Sequence, residues 1–364
     1  MGALADHLKR RIENEGLLSV ADYMAEALGH PDFGYYRGAD RLGLSGDFTT
    51  APEISQMFGE LIGLWSAVVW QAMGRPDPVM LIELGPGRGT LMADFLRAGR
   101  DVPGFIDAIR LQLVETSSGF RARQQEHLAS TDLVQSPTWH EAINTIPVGP
   151  TIVVANEFFD ALPIRQFIKT ETDWRERMVD VVPEGGEFCF ALSEVAVDVA
   201  LLSPGVLDAP VGAVFETCPA ALAISEWIGR RLNRAGGAAL LLDYGSAGIS
   251  MGDTLQAVRG HQYHDVLCDA GEADLTAHVD FSALGRAVDP VGVAIYGPLD
   301  QGHFLERLGI RARLDNLLVG ATAAQATDLR AGYRRLIDPL GMGKLFKAMV
   351  MVDKNIGPPP GFED

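Results

Sequence analysis

Between residues 79 and 352 the chain repeats one pattern, in which a short and almost uninterrupted apolar run is followed by a stretch with helical spacing. The runs are VMLI (79–82), RLQLV (110–114), TIVVA (151–155), AALLLD (238–243), VAIYGPL (293–299) and LFKAMVMV (345–352). A strand with one wet face alternates apolar and polar residues, so a strand apolar throughout must be covered on both sides. Such strands separated by helices make a mostly parallel sheet between two helical layers. The pattern therefore predicts an α/β fold, and in such folds ligands bind outside the carboxyl ends of the strands.

Three regions fall outside the alternation. Residues 1–74 read as a helical extension with a lid loop. Ser19 is placed to cap a helix that stops at Gly29, with Pro31 beyond. The Gly-, Asp- and aromatic-rich stretch that follows is a candidate functional loop. In the next helix Met57, Phe58, Leu61, Leu64, Trp65, Val68 and Val69 recur at helical spacing and are expected in the core. Residues 165–217 alternate like hairpin strands, with a turn near 183–187, and read as an inserted antiparallel subdomain between core segments 75–164 and 218–355. Residues 246–280 form a second irregular block.

The chemistry concentrates at the strand ends. Glu83-Leu84-Gly85-Pro86-Gly87-Arg88-Gly89-Thr90 follows the first strand and opens a helix. Glycines let the backbone turn sharply and approach a ligand, and a helix start offers free N–H groups. A dinucleotide-binding turn spaces its glycines G-x-G-x-x-G, whereas here the third comes one residue early. The resulting E-x-G-x-G-x-G resembles motif I of class I S-adenosylmethionine-dependent methyltransferases, where the loop abuts the methionine part and ribose of the cofactor. Glu115, ending the second strand, is suited to accept hydrogen bonds from both ribose hydroxyls. Asn156-Glu157-Phe158-Phe159-Asp160-Ala161-Leu162-Pro163 ends the third strand, and two acids with two aromatics there are poor core material. Residues 46–56, GDFTTAPEISQ, precede a helix and suit a lid that excludes water. Asp243-Tyr244-Gly245 and the segment Asp274–Phe281 complete the set. His261, His264 and His278 with Asp265, Asp269 and Asp280 match no zinc or facial-triad spacing, so no metal is expected.

Taken in order, residues 46–56, 83–91, 156–163, 243–245 and 274–281 resemble the MidA-like proteins, relatives of the mitochondrial complex I assembly methyltransferase, over nearly the whole chain. The resemblance implies a class I methyltransferase fold, Rossmann-like, with a mostly parallel seven-stranded sheet and helices on both faces. It further implies S-adenosyl-L-methionine as cofactor. The acceptor it implies is an arginine of the 49-kDa (NuoD-type) subunit of respiratory complex I, converted to symmetric dimethylarginine, which would make the chain an assembly factor. By matching position, Glu83, Gly85, Gly87, Gly89, Thr90, Glu115 and Asn156 would hold the cofactor. Glu157, Asp160 and Glu53 would be catalytic. Asp47, Phe158, Phe159, Asp243, Tyr244 and His278 would contact the acceptor.

Composition narrows the partners. The net charge of −18 argues against nucleic acid and against anionic lipid, and it suits a basic protein segment. Three scattered cysteines make no disulfide framework and fit a reducing compartment. No long uncharged apolar run is present, and the first 16 residues lack the apolar stretch of a signal peptide, so a cytoplasmic chain is expected. The resemblance leaves room for an oligomer. A methyltransferase for a small molecule, a cofactor-binding chaperone without catalysis and a nicotinamide-linked oxidoreductase are the rival readings. The last is disfavoured by the glycine spacing.

Overall fold

A computed structural model describes residues 2–37, 49–129, 131, 133, 135–249 and 251–363. Its centre is a sheet of seven strands, β1 (Val79–Leu84), β2 (Ile109–Val114), β3 (Thr138–His140), β4 (Thr151–Asn156), β5 (Gly237–Ser246), β6 (Ala294–Asp300) and β7 (Phe346–Val352). Their order is β6-β7-β5-β4-β1-β2-β3, and only β7 runs against its neighbours. A two-residue strand, Val279–Asp280, adds alongside the end of β5.

The apolar runs sort by parity, as a strand buried on both faces requires. Val79, Leu81, Ile152, Val154, Leu240 and Leu242 enter one hydrophobic cluster. Met80, Ile82, Val153, Ala239 and Leu241 enter the other. On the first face the helices Gln56–Ala72 and Thr90–Gly99 lie in close contact. Gly59 and Gly63 permit the approach, since a Cβ at Gly63 would stand 2.5 Å from the Phe95 carbonyl oxygen. The expectation that all seven apolar residues of this helix are core holds for five. Leu64 and Val68, 39% and 46% exposed, lie on its outward strip.

The irregular regions pack together. Strands Arg165–Lys169, Trp174–Val181, Phe188–Ala196 and Val214–Thr217 pair antiparallel, and Leu18–Ser19 from the N-terminal region joins the same sheet. A third sheet, Gln256–Arg259 with Gln262–His264 and Asp274–Thr276, gives order to the stretch in which the sequence shows no period. One hydrophobic cluster unites all three regions through Leu4, Leu8, Tyr23, Met24, Ile164, Val179, Ala257 and Leu275. The helix Val20–Gly29 starts at Ser19, whose hydroxyl accepts the Asp22 N–H (3.0 Å). It is thereby set beside the carboxyl ends of the central strands. Among the described residues no helix is long and apolar enough to cross a membrane.

Gly63→Ala should lower stability by about 1–3 kcal/mol, because the Phe95 backbone has to move. Calorimetric melting checks this, and an unchanged midpoint contradicts the close packing.

Candidate active site

A cavity of about 580 Å3 sits at the carboxyl ends of β1, β2 and β4, where the strand order reverses. One end is the glycine turn. Gly85, Gly87 and Gly89 have φ of 63°, 51° and 83°, a region that side chains with a Cβ avoid. A Cβ on Gly85 would also stand 2.8 Å from the Phe158 ring. Glu115 faces this turn. Its carboxylate accepts the Ser117 N–H (2.8 Å) and the Gln124 side chain (3.2 Å). Gln124 donates as well to the Gly87 carbonyl (2.7 Å), which ties the turn to the carboxylate. Glu83 lies beneath, fully buried, with Oε2 unpartnered. Burial, then the neighbouring Glu115, pushes its pKa up to about 8.

The other end is acidic. Glu157 adopts left-handed φ (49°), and its Oε1 accepts the Ala51 N–H (2.8 Å) and the Asn156 amide (3.3 Å). Its Oε2, Asp160 Oδ1 and Asn156 Oδ1 are buried without a partner. Burial pushes Glu157 up to about 8, opposed by the Ala51 hydrogen bond, and raises Asp160 to about 7. The turn is clasped by Asp243, whose Oδ2 accepts the N–H groups of Phe158 (3.2 Å), Phe159 (2.9 Å) and Asp160 (3.2 Å). Its Oδ1 accepts the N–H of Tyr244 (2.9 Å).

The structure brings most of the expected site residues to one cavity: Glu53, Glu83, Gly85, Gly87, Thr90, Glu115, Asn156, Glu157, Phe158 and Asp160 line it. Glu53 turns towards the glycine turn rather than the acidic end. It accepts the Thr90 hydroxyl (2.5 Å) and pairs with Arg88 (3.8 Å), joining residues 49–56 to the glycine turn. Gly89 supports the turn from behind the lining.

Four residues expected against the acceptor line no part of the cavity. Phe159 is buried in the core, because three consecutive N–H groups converging on Asp243 turn its ring inward. Asp243 is the clasp itself. Tyr244 is buried beside Asp160, and its hydroxyl accepts from Gln256 (3.1 Å). His278 stands edge-on to the Tyr244 ring (5.3 Å). Asp47 lies outside the described residues. Sequence reasoning missed Met24, Leu28, Tyr36 and Asp274 as lining residues. The first two fell in an expected helix to which no site was assigned, and Asp274 carried the one usable signal, an acid opening a singled-out segment.

A family model described as putative S-adenosyl-L-methionine-dependent methyltransferase matches residues 61–299. The chain belongs to this family. It is 38% identical over 366 residues to protein arginine methyltransferase NDUFAF7, mitochondrial, of Danio rerio, covering 95% of this chain and 86% of the relative. With the Mus musculus protein of that name the identity is 40% over 363 residues, covering 93% and 82%. A solved protein from Burkholderia thailandensis bound to S-adenosyl-homocysteine superposes with a TM-score of 0.87 at 29% identity, covering 99% of this chain and 94% of that one. The cofactor of this methyltransferase is therefore S-adenosyl-L-methionine, and the fold is the expected mixed, mostly parallel sheet. The residues present fit that group: the turn leaves open backbone at Gly85 and Gly87, and Glu83 Oε2 and Asn156 Oδ1 are unspent acceptors for a cationic ligand.

Two outcomes follow from this geometry. Gly87→Val should abolish S-adenosyl-homocysteine binding, since its positive φ excludes a β-branched residue. An unaltered dissociation constant by calorimetry contradicts it. The neutral form of Glu83 is favoured in the folded chain, so its stabilising contribution is full below the ordinary value of 4.5 and is lost as pH rises through about 8. The cofactor-free protein should thus melt at lower temperature at about pH 8.5 than at about pH 6.5, with a smaller difference in Glu83→Gln. An undiminished difference in that variant contradicts the assignment.

Proposed function

We propose that this methyltransferase modifies an arginine of a protein substrate, the 49-kDa (NuoD-type) subunit of respiratory complex I, giving symmetric dimethylarginine and supporting assembly of that complex. The observation that carries the reading is one cavity with a cofactor turn at one end and unpartnered, buried carboxyl oxygens at the other. Relatives at 36–40% identity are named protein arginine methyltransferases, and the net charge of −18 suits a basic segment. Under this reading the reaction runs in the cytoplasm, without nucleic acid or a metal.

Bound at the turn, S-adenosyl-L-methionine supplies an electrophilic methyl group. The chain's own residues deal with the acceptor. A guanidinium stays protonated to about pH 12 or above and is a poor nucleophile. Glu157 Oε2 and Asp160 Oδ1 accept its N–H groups in charge-assisted hydrogen bonds, which draw positive charge away from the attacking nitrogen. Arrival of a cation in a slot whose carboxyls are held up by burial lowers their pKa, so the groups ionise as the substrate seats. Phe158 walls the slot and excludes water. Glu115, Glu83, Asn156 and Thr90 with the three glycines hold the cofactor. Glu53 keeps residues 49–56 against the glycine turn, and Asp243 with Tyr244 fixes the acidic turn from behind. The methyl group would pass to that nitrogen as the sulfonium carbon–sulfur bond breaks, leaving neutral S-adenosyl-homocysteine. The Glu157 carboxylate takes the proton that the nitrogen loses, and positioning of the two reactants supplies most of the acceleration.

Glu157→Gln should cut turnover on an arginine peptide by at least about 100-fold while S-adenosyl-homocysteine still binds. Transfer of labelled methyl groups checks the first part and calorimetry the second. Unchanged turnover removes Glu157 from the mechanism.

A further inference from the structure

We propose that Gln124, held in one orientation by Trp139, is a positioning residue that aims Glu115 at the ribose of S-adenosyl-L-methionine and makes the site read the ribose hydroxyls. The inference rests on the reading that Glu115 holds that ribose. Gln124 is fully buried in the helix Ser118–Leu128 and lines no part of the cavity, so it acts on a ligand only through its neighbours. Those neighbours do line it. The Gln124 amide nitrogen donates to Glu115 Oε2 (3.2 Å) and to the Gly87 carbonyl (2.7 Å).

Trp139 decides which end of the amide faces the site. An indole N–H can donate and cannot accept. It donates to Gln124 Oε1 (2.8 Å), so the oxygen is spent on Trp139 and both hydrogens on Nε2 face Glu115 and Gly87. Turned over, the amide would set its nitrogen against the indole donor and its oxygen against a carboxylate and a carbonyl, leaving every one of these bonds unmade. Trp139 is fixed in turn by β3, where it pairs with Leu113 of β2. The next residue, His140, accepts the Glu115 N–H at its carbonyl (3.0 Å). The short strand β3 therefore sets Glu115 twice, through the backbone and through the indole and amide side chains.

This arrangement suits a pair of neighbouring hydroxyls. Glu115 Oε1 accepts the Ser117 N–H (2.8 Å) and Oε2 accepts from Gln124, so the carboxylate is pinned at both oxygens. Each oxygen keeps a second lone pair for a ribose O–H. Burial raises the Glu115 pKa, and the Ser117 N–H and the Gln124 amide oppose that rise, favouring the ionised form that only accepts. Because the same amide is tied to Gly87, the carboxylate and the glycine turn keep one spacing before any ligand arrives, which spares the ligand the cost of ordering them.

The test is calorimetric binding of S-adenosyl-homocysteine, and of its 2′-deoxy analogue, to the full chain. The wild type should prefer S-adenosyl-homocysteine by at least about 10-fold, the increment of a hydrogen bond to a charged acceptor. Gln124→Met keeps the length of the side chain and removes its donors. It should weaken S-adenosyl-homocysteine by about 10-fold and shrink the preference over the analogue to roughly 3-fold or less. Trp139→Phe keeps Gln124 but frees its amide to turn over, and it should move both readings the same way by a smaller factor; it decides the matter if Gln124→Met does not fold. A merely structural role weakens both ligands by one factor, so a wild-type preference retained in the folded variants overturns the inference while leaving the ribose reading intact. A wild type that binds both ligands alike overturns both.

Discussion

One buried carboxylate holds the site in shape. Asp243 accepts four backbone N–H groups, three of them from the consecutive residues 158–160. Burial and the neighbouring Asp160 and Glu157 raise its pKa, and the backbone N–H groups that it accepts oppose that rise. Left-handed backbone at Glu157 costs roughly 1–2 kcal/mol. Hydrogen bonds to a charged acceptor contribute about 1.5–3 kcal/mol each, so the clasp outweighs the strain. Without it the chain would relax and both unpartnered carboxyl oxygens would swing away from the cavity.

Residues 49–56 answer to both ends of that cavity. Ala51 donates to Glu157, and Glu53 accepts from Thr90 and pairs with Arg88. The same short segment therefore closes on Glu157 and on the glycine turn. This couples the two halves through hydrogen bonds rather than through bulk packing, and it explains why an acid expected at the acceptor is spent on the glycine turn.

Much of this was legible in the chain. Apolar runs buried on both faces have few alternatives to a covered parallel sheet, and six of the seven strands stood out. The seventh, Thr138–His140, is three residues long and too short to show a period. The glycine spacing marked the turn at one end of the cavity because positive φ at three alternate positions demands glycine. Leu64 and Val68 misled because spacing reports a helix face without saying what covers it. Phe159 and Asp243 sat in the right motifs with roles that only the turn's hydrogen bonds reveal. Tyr36 and Asp274, 238 residues apart in sequence, meet through tertiary packing that no local pattern encodes.

The measurement that bears most directly on this picture is a crystal structure with S-adenosyl-homocysteine and an arginine peptide bound together. The nucleoside should lie between the 85–89 turn and Glu115, with the guanidinium held by Glu157 and Asp160. Nucleoside density elsewhere, or an arginine lying outside those carboxyls, would contradict it.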